Sequence, residues 1–278
     1  MKFGDFEIET FVEQKMKLDG GSMFGIIPRS IWKKLVTPDE NNLIDMVNNL
    51  FVLKAHGKNF IFDTGLGDNL TEREKKIYGT NGESKIAYGL QSIGLSENDI
   101  DFVILTHLHT DHAGGAVVSD GSNYVPRFKN ATYVISEKEF DVATHPNERT
   151  SSVYIPERYY AIKDANQLQL IDGNYDLFPG IRLVHSGGHT EGHFVIEMES
   201  GGQKVFYYAD IFMDHHHLPI PFNSASDIHP LDTMKMKRKK LPEIIEDNVI
   251  MAFDHDKDYQ FAKVKADGKR FVVEHVNG

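Results

Sequence analysis

The sequence predicts an α/β (α+β) fold, and three observations predict it. Short apolar, β-favouring runs recur along 278 residues, helical periodicities fall between several of them, and glycine or aspartate marks many of the run ends. A chain of this length buries a large core. No tandem repeat, low-complexity tract or Pro/Gly-rich linker divides it, so a single domain over residues 1–278 is expected.

Residues 6–16 alternate loosely and predict a strand. Residues 50–53 and 59–62 flank His56-Gly57-Lys58 as a hairpin, and Asp63-Thr64-Gly65 ends its second strand. Residues 83–93 place Ile86, Leu90 and Ile93 at helical spacing, and residues 96–99 form a capping box before a buried strand over 101–105. Then come a strand at 132–135, a helix from Glu137, and strands at 181–184, 194–198 and 205–208, the last two joined by Gly201-Gly202. Residues 231–246 predict a helix interrupted by Pro242, with Lys235 to Lys240 as a solvated basic face. Strands at 249–253 and 270–275 close the fold.

Thirty Lys and Arg stand against 41 Asp and Glu, a formal charge of −11, which disfavours nucleic acid and acidic membranes as partners. There is no apolar run of about 18 residues, and the first residues lack the apolar core of a secretory signal, so a cytoplasmic location is expected. The absence of cysteine excludes disulfides, thiolate ligands and a cysteine nucleophile. Asn69-Leu70-Thr71 and Asn130-Ala131-Thr132 match the glycosylation sequon by chance in a chain with no secretory route.

Chemistry concentrates behind the strand at 101–105, where His107, His109, Asp111 and His112 set four potential metal ligands within six residues. In an extended backbone the first three project to one side and His112 to the other, so the chain must turn there. Gly114 and Gly115 allow a turn and a close backbone approach. Imidazole and carboxylate without thiolate suit zinc, with iron, manganese or cobalt as other first-row ions of similar demand. Three later strand ends each add a His or Asp: His189 between glycines, Asp210 after Tyr208-Ala209, and His255 after Phe253-Asp254. The count suits two ions, with His107, His109 and His189 on one, Asp111, His112 and His255 on the other, and Asp210 between them.

Asp63, the 107–112 run, His189, Asp210 and His255 together resemble the motif series of the metallo-β-lactamase superfamily. The resemblance implies an αββα sandwich, two mixed β-sheets packed face to face with helices on the outer faces and the metals in a cleft at one sheet edge. Within it, a cysteine ligand is impossible here, and Asp210 as a bridging carboxylate argues against the antibiotic-hydrolysing group. Flavodiiron proteins carry Glu where this chain has His109, and a glyoxalase-like thioesterase has a C-terminal extension for which little chain remains after His255. The block Asp19 to Pro28 with Trp32 resembles the N-acyl-homoserine lactonase and methyl-parathion-hydrolase-like branch. There a tyrosine three residues after the bridging aspartate polarises the carbonyl; this chain has Met213, and Asp214-His215-His216-His217 is the run that can take over.

The expected function is therefore a dinuclear metal-dependent hydrolase in which a metal-bridging hydroxide opens N-acyl-homoserine lactones or related lactones, a quorum-quenching activity. Asp111 is expected to pass a proton to the leaving alkoxide, Asp63 to orient a ligand histidine, and His193 to act similarly or to make a structural hydrogen bond. Met23, Phe24, Trp32, His215 and His217 are candidates for the substrate pocket. Phosphotriester or aryl ester hydrolysis, thioester hydrolysis, and a metal-binding scaffold without turnover are the alternatives; the resemblance also implies a homodimer. Asp63-Thr64-Gly65 matches the aspartic-protease triplet, but only one copy occurs where that chemistry needs two facing carboxylates.

Overall fold

A computed structural model of the chain describes residues 1–268 and 270–277. They divide into two compact units, Met1–Gln14 with Asn48–Gly173, and Lys15–Val47 with Asn174–Gly278. One seven-stranded sheet orders Lys2–Phe3, Phe6–Asp19, Leu43–Ala55, Lys58–Phe62, Phe102–Ile104, Thr132–Ser136 and Leu168–Ile171 from edge to edge. A second orders Tyr175–Phe178, Ile181–His185, Phe194–Ser200, Gln203–Tyr207, Ile250–Ala252, Phe261–Asp267 and Arg270–His275. Both are mixed.

In the first unit the hairpin turn at His56 and Gly57 takes positive φ at both residues (53° and 68°), which matches the twist of the flanking strands. Lys58–Phe62, Phe102–Ile104 and Thr132–Ser136 then run parallel, with Phe62 opposite Ile104 and Ile104 opposite Val134. Parallel central strands are covered on both faces, so they read as continuous apolar runs rather than alternating ones. Val103, Ile104 and Leu105 are accordingly sealed, and Val103 and Leu105 share a core with Ile86, Leu90, Tyr133 and Ile162. The helices Ile86–Ser92 and Glu137–Thr144 lie where periodicity places them, and Ser96 and Asp99 form the capping box before the strand. Missing from the sequence reading are the strands Lys2–Phe3 and Leu168–Ile171, the hairpin Val117–Ser119 with Tyr124–Pro126, and the helices Glu72–Ile77 and Pro156–Asp164.

Gly114 and Gly115 do not supply a turn by positive φ. A Cβ on Gly114 would lie 2.3 Å from the Leu66 carbonyl oxygen, and one on Gly115 2.2 Å from that of Thr64. Their bareness serves close approach. The bend is the short helix Thr110–Ala113, entered through His109.

In the second unit, Gln203–Tyr207 and Ile250–Ala252 pair in parallel, Tyr207 opposite Ala252, while Ile181–His185 and Phe194–Ser200 are antiparallel neighbours. Phe206, Tyr208, Ile244, Met251 and Phe253 share one apolar cluster. The helix Pro230–Glu246 runs through Pro242 rather than breaking there. Proline deprives only the carbonyl four residues back of its donor, and both Pro242 and Arg238 lie on the exposed side of the helix, where that loss costs least. The basic run is not wholly solvated either: Lys237 and Lys240 are buried. Lys237 Nζ donates to the carbonyls of His217 and Phe222 at 2.8 and 2.7 Å, and burial pulls its pKa down to about 7. Among the described residues no helix is long and apolar enough to cross a membrane.

Glu13 is a buried carboxylate in the strand Phe6–Asp19, accepting from the amides of Leu66 and Gly67 at 3.2 Å each, and so holding the turn after Asp63. Burial pushes its pKa up to about 7, against the hydrogen bonds that favour the ion. A carboxyl whose folded pKa is raised stabilises the fold fully below its unfolded value of 4.5 and loses that contribution as pH rises through about 7. Glu13→Gln is expected to remove this loss, so that the stability gap between variant and wild type shifts in the variant's favour by up to about 3 kcal/mol between pH 4.5 and 8. Urea denaturation at several pH values measures it; a gap independent of pH would refute the assignment.

Candidate functional site

The candidate histidines of the first unit lie just past the C-terminal end of its parallel strand Phe102–Ile104. Asp63 ends Lys58–Phe62 with φ 52°, a left-handed conformation tolerated by Asp better than by most residues. Its amide donates to the Ile104 carbonyl at 2.9 Å. One carboxylate oxygen then accepts from the Thr106 amide at 2.8 Å; the other accepts from the Thr106 hydroxyl at 2.8 Å and lies 3.0 Å from His112 Nδ1. That carboxylate fixes the ring of His112 through Nδ1, so Nε2 is the nitrogen a metal would use.

The rest of the loop is clamped at its backbone. The Glu139 carboxylate accepts from the Leu108 amide and from the Tyr154 hydroxyl, both at 2.9 Å, and the Tyr159 hydroxyl donates to the Leu108 carbonyl at 2.5 Å. The rings this presents are close: His107 lies 4.7 Å from His109 and 4.0 Å from His112 between ring centroids. All three are buried. Asp111 is less enclosed, and the Tyr78 hydroxyl donates to its Oδ1 at 3.4 Å. Burial first, then the nearby Asp111 and Glu74, drive the Tyr78 phenol well above its ordinary pKa, so it stays a donor.

The second unit repeats the scheme. The loop after Ile181–His185 carries Gly187 and Gly188 at φ 56° and 81°, and a Cβ on Gly188 would lie 2.4 Å from Thr233 Oγ1. This tight passage seats His189, whose Nδ1 lies 2.9 Å from Asp227 and whose Nε2 lies 2.9 Å from Asp210 Oδ2. Burial opposes a charged ring there, and Asp210 and then Asp227 overcome it, pushing the His189 pKa up to about 10. His255 donates from Nδ1 to the Val47 carbonyl at 3.0 Å and turns Nε2 towards Asp210 Oδ1 at 3.4 Å and Asp254 Oδ2 at 3.5 Å. Asp210 follows Ala209, itself at φ 43°, a conformation alanine seldom adopts outside sites that need it. His193 is buried; the Ser186 hydroxyl donates to its carbonyl at 2.9 Å and lies 2.6 Å from its Nδ1.

The pocket candidates fall differently. Phe24 stacks on Trp32 at 5.4 Å and 5°, and on His217 at 4.9 Å and 18°. These three rings are buried and spend their faces on one another, which is core packing rather than pocket lining. Both nitrogens of His217 are occupied, Nδ1 on Asp214 at 2.6 Å and Nε2 on the Met23 carbonyl at 2.9 Å. Although burial raises the Asp214 pKa, His217 more than offsets it and leaves the carboxyl below its ordinary range. Met23 and His215 keep some surface. Asp256 Oδ2 accepts from the His215 amide and lies 2.6 Å from its Nδ1; burial pulls the ring's pKa down, but this carboxylate outweighs it and leaves the pKa raised. Met213 is buried and accepts from the His255 amide through its carbonyl at 3.0 Å.

Sequence reasoning missed Asp227, Asp254, Glu139 and Tyr78. None shows a local pattern: Asp227 lies 38 positions from the histidine it meets. The donor chemistry fits a divalent ion in each unit. His112, His189 and His255 each commit Nδ1 to an oxygen and present Nε2, and a carboxylate accompanies the latter two.

Residues 44–245 match the family described as the metallo-beta-lactamase superfamily. An N-acyl homoserine lactonase of Bacillus cereus is 26% identical over 249 residues, covering 83% of this chain and 89% of its own; another from a Bacillus species is 27% identical over 235 residues, 80% and 85%. A probable metal-dependent hydrolase of Staphylococcus aureus superposes over 100% of both chains with a TM-score of 0.90 and 31% identity. The dizinc quorum-quenching lactonase AidC superposes with a TM-score of 0.82 and 22% identity, over 100% of this chain and 97% of its own, a likeness of fold.

Asp63→Asn keeps the shape of the side chain and removes the charge that fixes His112. It is expected to weaken metal retention about 10- to 100-fold, read as the chelator concentration that strips half the metal. Unchanged retention would remove Asp63 from that role.

Proposed function

The chain belongs to the metallo-beta-lactamase superfamily of metal-dependent hydrolases, and we propose that it opens lactones, N-acyl homoserine lactones first among them. The observation that carries this reading is the match to curated N-acyl homoserine lactonases over about four fifths of the chain. The proposed ligands are His107, His109, Asp111 and His112 of the first unit and His189, Asp210 and His255 of the second, for two divalent ions, zinc in the first instance. When bound, such ions supply an activated water and a Lewis acid for the carbonyl. The residues around them do the rest. Asp63 and Asp227 hold His112 and His189 by Nδ1, and the Val47 carbonyl holds His255. Asp111, whose Oδ1 accepts from the Tyr78 hydroxyl, is the proposed carrier of a proton to the leaving alkoxide. The whole of residues 1–278 is proposed as one hydrolase domain, forming a homodimer that a solution mass would test.

Phosphotriester or aryl ester hydrolysis is the second reading, favoured by one observation. Met213 stands where lactonases of the branch carry a carbonyl-polarising tyrosine, and its buried side chain offers no hydroxyl.

The purified, metal-loaded protein is expected to open N-acyl homoserine lactones of differing chain length. Chelation should abolish the reaction, and Asp210→Ala should lower kcat/KM on the order of 100-fold or more. Turnover of paraoxon-type esters without lactone opening would move the assignment to the second reading. Failure with lactones, esters and phosphotriesters alike would leave a metal-binding scaffold.

A further inference from the structure

Asp254 precedes His255 at the end of the strand Ile250–Ala252, and neither motif nor family pattern gives it a task. It is buried to 3% exposure, and Asp210 to 8%. Ligand atoms of Asp210, Asp254 and His255 lie within 4.8 Å of one another. Asp254 Oδ2 is 3.5 Å from His255 Nε2, and Asp210 Oδ1 is 3.4 Å from the same nitrogen.

Which nitrogen Asp254 addresses decides its role. A carboxylate that orients a ligand histidine sits on the nitrogen away from the metal. At His255 that place is taken by the Val47 carbonyl, which accepts from Nδ1 at 3.0 Å. Asp254 faces the other nitrogen, the one a metal would use. His255 Nε2 and the carboxylates of two buried aspartates thus converge on one place, the mixed nitrogen and oxygen donor set that a divalent cation takes.

We propose that Asp254 is itself a metal ligand, giving the ion held by His255 and Asp210 a second carboxylate. This rests on the metallohydrolase reading and adds to its ligand set. Carboxylate oxygen is a harder donor than imidazole nitrogen, so the added ligand shifts this site's preference from zinc towards manganese.

The experiment uses the full chain, stripped with chelator and reloaded with Zn(II), Mn(II) or Co(II), as wild type, Asp254→Asn and Asp254→Glu. Bound metal is measured by mass spectrometry, affinity by chelator competition, and coordination by the visible bands of the cobalt form. Circular dichroism reports folding. Asp254→Asn is expected to weaken manganese retention at least about tenfold, zinc retention less, and to change the intensity of the cobalt bands; Asp254→Glu should recover part of the manganese affinity with shifted bands. A folded Asp254→Asn protein with wild-type affinities and cobalt spectrum would overturn the proposal. If that variant does not fold, a cobalt spectrum of Asp254→Glu identical to wild type overturns it instead. Wild-type protein that retains no ion would overturn the metallohydrolase reading as well, whereas a metal-loaded wild type indistinguishable from Asp254→Asn removes Asp254 alone.

Discussion

A histidine can serve a cation only through a nitrogen that has given up its proton, and an oxygen set against the opposite nitrogen settles which one that would be. Asp63, Asp227 and the Val47 carbonyl do so for His112, His189 and His255. Each acceptor fixes a tautomer and a ring orientation together, and a carboxylate also makes the ring a better electron donor. Without these oxygens the imidazoles would rotate or exchange tautomers, and the ligand geometry would blur.

Parallel pairing is how the chain reaches that condition. Where two strands run the same way, their C-terminal ends emerge side by side, so residues far apart in sequence become neighbours without long loops. Asp63 and Thr106 meet in this way, and so do Asp210 and His255. The site loops are short and tied at their backbones, Leu108 by Glu139 and Tyr159 and the 65–67 turn by Glu13. Glycines 114 and 115 let two such loops touch where any side chain would collide with a carbonyl oxygen.

What the sequence discloses follows from what is local. The hairpin at His56-Gly57, the buried strand before His107 and the capping box at Ser96 are each written in a few neighbouring residues, and they appear where expected. The strand Phe261–Asp267 was hidden because lysine and alanine interrupt its apolar alternation, and Tyr175–Phe178 because it is short and largely exposed. Pro242 misled in the opposite direction, since its cost depends on whether water reaches the orphaned carbonyl, which composition cannot tell. The metal-motif histidines are legible because their spacing is dense; the acceptors behind them are not, because Asp227 meets His189 only through the fold. Phe24 and Trp32 show the same limit, as apolar residues whose neighbours decide between pocket and core.

The ring column of Trp32, Phe24 and His217 carries a practical dividend. Trp32 is the sole tryptophan of the chain, it is buried, and it stacks on the phenylalanine that stacks on His217. Its ultraviolet emission therefore comes from one place, two rings away from an imidazole anchored to the Met23 backbone. A chain of this size usually reports an average over several indoles. This one carries a single built-in lamp whose colour and brightness register whether the segment around residues 20–32 is docked.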